Sequence, residues 1–237
     1  MIGVESDTEI RFSSNTMQWT SVALIFCSVA ALGWTCCTPD QWEGIGSQFS
    51  SYAGFFHHGL IKEFSNVAYD FTNNRSAVFL RYYSGDIEAK IKIVVRFDGE
   101  DEGGFLYVDH YDRHMCWKKK LEGKFRKCCI PKHAKRLGDF SLGLKGDYNV
   151  TSYDIKGKRL NIALTVQELG ENVCAPVAQF AIGRVGYYDV LRNVGFVNIT
   201  PGIKDETVFD VPPDCEDDWS GFDLPIDIDR QDYILGI

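Results

Sequence analysis

The chain has 237 residues, 45% hydrophobic and 24% charged, the make-up of a globular protein rather than a disordered or fibrous one. Its formal charge of −8 argues against a nucleic-acid partner spread over the surface. The charge is uneven: nine Lys or Arg lie between Lys118 and Arg136, and eleven acidic residues with one Arg between Asp205 and Asp232, which read alone as a solvated basic loop and a solvated acidic tail.

The first feature in chain order is the apolar run SVALIFCSVAALG, Ser21 to Gly33. It is too short to span a bilayer comfortably and fits the core of a secretory signal, with small residues at Ala31 and Gly33 marking cleavage before Trp34. The polar, acidic leader MIGVESDTEIRFSSNT suits a signal poorly, and Met17 makes a better start; a signal anchor is the competing reading. Three segments follow: leader and signal over 1–33, a β domain over 34–215 and an acidic tail over 216–237. Removing the leader takes Cys27 with it and leaves seven cysteines, at 36, 37, 116, 128, 129, 174 and 215. Secretion favours disulfides, and an odd number leaves one thiol free or joined to another chain. No CxxC spacing points to a zinc knuckle. In CCTPDQWEG the neighbours Cys36 and Cys37 would close a strained ring if bonded together, so each should find a partner elsewhere. Acceptor sequons at Asn74 and Asn149 suit a glycosylated, secreted surface, whereas the proline after Asn198-Ile-Thr disfavours a third.

The rest reads as β almost throughout. Val67, Tyr69 and Phe71 alternate up to the turn signal NNRS, and Ala77 to Tyr83 forms the second arm of a hairpin. AKIKIVVRF puts Ile91, Ile93, Val95 and Phe97 on one face and Lys90, Lys92 and Arg96 on the other, a strand with one wet side. After the turn DGEDEGG, Phe105 to Asp109 returns antiparallel. RLNIALTVQE repeats the pattern with Leu160, Ile162, Leu164 and Val166 inward. Further strands are expected at Gly146 to Ile155, Val177 to Val185 and Tyr187 to Ile199. IPKHAKRLG reads as a short helical turn, opened by Pro131 and closed by Gly138. About eight to ten strands without intervening helices predict an all-β sandwich or open barrel in one domain.

Chemistry-bearing motifs are few. No GxSxG, HExxH, P-loop or GxGxxG follows a strand, so no catalytic residue is expected. His110 and His114 are four apart beside Asp109 and Asp112, metal-ligand spacing on a helix; after a strand they read as surface loop. His57 and His58 have no acid nearby. Calcium is the better candidate cation, because Asp98, Glu100, Asp101 and Glu102 crowd one turn with oxygen donors, though without EF-hand spacing.

Four motifs in order, CCTPDQWEG, VDHYDRHMCWKKKL, ENVCAPV and GIKDETVFDVPPDC, resemble the ependymin-related proteins over residues 36–215. The resemblance implies a secreted or lysosomal glycoprotein, linked to calcium and cell–matrix adhesion. It implies two antiparallel sheets around a deep apolar pocket, like bacterial lipoprotein carriers, and a homodimer. It also implies pairing of Cys36 with Cys174 and of Cys116 with Cys215; Cys37 with Cys128 or Cys129 stays open. Combined with the alternation, it places an apolar ligand, a lipid or other hydrophobic small molecule, against Phe71, Ile91, Ile93, Val95, Phe97, Leu160, Ile162 and Leu164. In an ordinary sandwich those side chains would close into a dry core. The alternative function is a calcium-binding matrix or adhesion protein with extracellular-matrix partners and no ligand pocket.

Overall fold

A computed structural model describes residues 34–55, 58–97, 103–144, 146, 148–157 and 159–217. The leader, the acidic turn at 98–102 and the tail from 218 lie outside the described residues. Thirteen strands form there: β1 (Trp34–Cys37), β2 (Gln41–Ala53), β3 (His58–Asp70), β4 (Arg75–Ser84), β5 (Ile87–Arg96), β6 (Gly103–His110), β7 (Met115–Glu122), β8 (Cys129–Pro131), β9 (Lys135–Ser141), β10 (Asn149–Lys156), β11 (Leu160–Gly170), β12 (Val173–Val185) and β13 (Tyr188–Pro201). Two short 3-10 turns, Tyr111–Arg113 and Glu206–Phe209, complete the order.

The fold is all-β and open. Its layers are halves of one antiparallel sheet, in the order β7-β6-β5-β4-β3-β2-β13-β12-β11-β10-β9. The long pairing of β2 with β13 joins the halves, and β1 adds a parallel contact to β12 and an antiparallel one to β8. Hairpins set the register: Asn74 takes φ 53° after β3, and Glu171 and Asn172 both take positive φ in the two-residue turn between β11 and β12, the geometry that matches strand twist. The Pro131–Gly138 stretch is not helical. Ala134 N donates to the Pro131 carbonyl in a turn (2.9 Å), and Lys135 onward pairs with β10 as a strand; ladder bonds to β10 outweigh the local helix signal.

The inner face forms one buried cluster drawn from both halves. It includes Trp42, Tyr69, Leu80, Ile91, Ile93, Val108, Ile155, Leu164 and Phe196. The segment between β7 and β8 lies against it. Phe125 stacks on Tyr69 with ring centroids 5.6 Å apart, and the Tyr69 hydroxyl donates to the Arg126 carbonyl (3.2 Å) while accepting from Cys128 N (3.3 Å). Cys36 bonds Cys174 and Cys116 bonds Cys215, as the family resemblance implies. Cys37 bonds Cys129, which resolves the open pairing, and Cys128 is buried outside the three disulfides formed among the described residues.

The basic tract is held down by carboxylates from elsewhere in the chain. Lys127 meets Asp40 at 2.6 Å, Lys118 meets Asp217 at 3.4 Å and Arg136 pairs with Asp139. Lys135 stands opposite Asp154 across the β9–β10 ladder. Part of the tract's charge is therefore answered within the fold.

Candidate functional site

The structure brings all eight expected pocket residues together, but as packing. Ile91 and Ile93 are 0% exposed, Val95 1%, Leu164 2%, Leu160 5% and Ile162 6%, while Phe71 and Phe97 pack half-buried against the same cluster. Side chains this inaccessible touch other side chains rather than a solvent-sized space. The four candidate calcium ligands, Asp98, Glu100, Asp101 and Glu102, lie outside the described residues. Among the described residues no group of three His, Cys, Asp or Glu is placed to hold a metal. His110 is buried and His114 occupies a left-handed turn. Asn74 and Asn149 are both exposed.

An open cleft of about 540 Å³ lies instead on the outer face. Its roof is a strap, residues 202–217, that crosses β2 to β5 and is tied at several points. Lys204 N donates to Glu43 (2.9 Å), and Lys92 Nζ donates to the carbonyls of Asp210 (2.7 Å) and Thr207 (3.5 Å). Phe209 is buried against Ala68, Ala77 and Val94, with the Arg75 guanidinium 4.1 Å above its ring. Arg75 also pairs with Glu206 and with Asp70. Burial would raise the Asp70 pKa, but hydrogen bonds from Asn73, Gln41 and Arg75 outweigh it and hold the carboxyl below its ordinary value. At the far end the Cys116–Cys215 bond is flanked by Lys118 N to Glu216 O (2.8 Å) and Glu216 N to Cys116 O (2.9 Å).

The cleft floor is apolar, with Ile45, Ala68, Ala77 and Phe79, and Tyr111 and Val208 complete the walls. Phe79 and Tyr111 meet edge to face at 5.5 Å. Charges of both signs line it: Lys92 and Lys204 beside Glu43 and Asp205. Burial lowers the pKa of Lys92, partly offset by Asp210, Asp109 and Asp205. Asp109 stands opposite Lys92 across β5–β6 and is raised by burial, with Lys92 and two histidines pulling it back. With no single-sign field, the cleft is suited to apolar or neutral matter rather than to a bare ion.

Beyond the cleft the same outer face is unusually apolar. Phe49 on β2, Leu60 and Phe64 on β3, Leu191 and Val197 on β13, and Phe180 and Ile182 on β12 are each 38–56% exposed. Register puts them on one surface of four adjacent strands. Sequence reading missed this surface because it depends on which strands lie side by side: on β13 Leu191 and Val197 share their face with Asp189 and Asn193, so the strand alone does not mark that face as apolar. The signal was present in EGIGSQFSS, where Ile45 and Phe49 share a face with serine.

A family model described as Ependymin matches residues 90–215. Ependymin-related protein 1 of Haliotis asinina is 27% identical over 196 residues, covering 77% of this chain and 91% of that protein. An uncharacterized conserved protein from Thermus thermophilus aligns with 76% of this chain and 89% of its own, at 11% identity and a TM-score of 0.46; at that level the likeness carries no argument.

Proposed function

The chain belongs to the ependymin family, and from that premise we propose that it is a non-enzymatic extracellular glycoprotein that holds an apolar ligand, such as a lipid, in the outer-face cleft. Three disulfides suit an oxidising, extracellular setting. The observation that carries the ligand reading is the cleft itself: about 540 Å³ with an apolar floor, within the size range of small-molecule sites. A second copy covers the exposed apolar face beside it. Monomers rarely leave contiguous apolar patches this broad in water, and a stable pair buries about 800 Å² per partner.

Two substitutions separate the ligand from the second copy. Ile45→Glu puts a carboxylate on the cleft floor at a half-exposed position, where it costs the fold little. Leu60→Glu does the same on the apolar face, away from the cleft lining. Binding of a fluorescent apolar probe should fall about tenfold or more for Ile45→Glu and stay near wild type for Leu60→Glu. Sedimentation should show Leu60→Glu as a monomer. Equal probe binding by all three proteins would remove the cleft, and an unchanged sedimentation coefficient would remove the second copy.

Calcium belongs to the same reading through the acidic turn Asp98 to Glu102. The affinity expected of such an extracellular site is weak, about 10⁻⁴ to 10⁻³ M. Calorimetry on chelator-washed protein reads it directly; no heat at millimolar calcium would take calcium out of the function.

A further inference from the structure

We propose that the outer edge of β7 is a docking surface for the chain's own acidic tail, which continues from Asp217 as a parallel strand. β7 ends the sheet order, and among the described residues β6 is its one strand neighbour. Its other edge already carries the first step of a second ladder. Trp117 and Glu216 form a parallel bridge. Glu216 N donates to Cys116 O (2.9 Å), and Lys118 N donates to Glu216 O (2.8 Å). Backbone groups alternate sides along a strand, so the N–H and C=O of Lys120 and Glu122 point out of this same edge. Such an edge is a template for another strand.

Covalent placement and charge select the tail as its occupant. The Cys116–Cys215 bond holds the chain on β7 one residue before the bridge, so the residues that follow arrive at high effective concentration. Continued at the register of the bridge, the ladder sets Asp217 beside Lys118, Asp218 beside Lys119 and Trp219 beside Lys120. Of these pairs, Lys118 Nζ already meets Asp217 at 3.4 Å. Opposite charges directly across a ladder favour it, and like charges oppose it. Lys120 stands opposite Phe105 on β6, and Phe105 is 36% exposed. An indole on the other side of Lys120 sets its ammonium between two rings, a favourable cation–π arrangement.

A second copy fits this edge worse. Two β7 strands related by a two-fold axis would run antiparallel and set lysines against lysines. β7 ends at Glu122, level with Gly221, so the added strand runs from Asp217 to Gly221. Seated there, it covers an edge that would otherwise pair with another chain. The tail thus guards the sheet against edge-to-edge association. This inference is independent of the outer cleft and its ligand.

Amide hydrogen exchange in the full chain reads the ladder residue by residue. In the parallel register Ser220 N faces β7, whereas Gly221 N faces away. Proline removes a ladder bond at the first position and is tolerated at the second. Ser220→Pro should therefore speed exchange at Lys120 about tenfold or more, while Gly221→Pro leaves it slow. The amides of Lys119 and Leu121 face β6, so they should be unchanged in both variants and report an intact hairpin. Equal exchange at Lys120 in the two variants, or loss of protection at Lys119 together with Lys120, would overturn the proposal. Protection of Lys120 that rises with protein concentration would assign the edge to a second copy, and overturn it too.

Discussion

Replacing Cys116 and Cys215 together by serine is expected to lower the stability of the folded chain by about 5 kcal/mol, on the chain-entropy account of a loop this long. The two cysteines are 99 residues apart. Their bond pins the end of the strap to β7, the edge strand of the sheet. The ionic contact beside it, Lys118 with Asp217 at 3.4 Å, is largely exposed, and such pairs are worth about 0–1 kcal/mol. Charge reversal at Lys119 and Lys120 should therefore shift the melting temperature far less than the double serine variant. Comparable shifts would mean that electrostatics rather than the covalent tie holds this corner. The strap's other anchors, Phe209 under Arg75 and Lys92 on two carbonyls, do not depend on the disulfide, so the cleft should loosen at one end rather than vanish.

Ile93→Asp should be close to unfolding for the whole domain. Ile93 is 0% exposed at the centre of the inner-face cluster. A carboxyl there must either ionise without a counter-charge or stay protonated without a partner, which places the loss at about 4 kcal/mol or more. Denaturant melts compare it with Lys90→Asp on the opposite face of the same strand, which should keep most of the stability. Lys92 is no neutral control, since its ammonium holds the strap at Thr207 and Asp210. An Ile93→Asp protein that melts with the Lys90→Asp protein would reverse the faces assigned to β5.

The strand faces were legible because the side-chain period of two survives any tertiary arrangement. Ile91, Ile93 and Val95 point inward on β5, and Leu160, Ile162 and Leu164 on β11, as their alternation requires. Whether facing rows meet or leave a gap depends on how the sheet halves approach, and no local pattern encodes that approach. The cleft depends on a contact between residues far apart in sequence, the strap with β2 to β5, so only the pairing of Cys116 with Cys215 hinted at it. Pro131 and Gly138 imitate helix boundaries, yet the segment between them becomes part of an edge strand once β10 is present to pair with it.

Mass spectrometry of organic extracts from the purified protein tests the proposed ligand function most directly. The account predicts a discrete apolar species that accompanies the wild-type chain in near-stoichiometric amount and is depleted from Ile45→Glu protein with an unchanged melting temperature. The same species at the same level in both proteins, or no apolar species in the wild type, would contradict it.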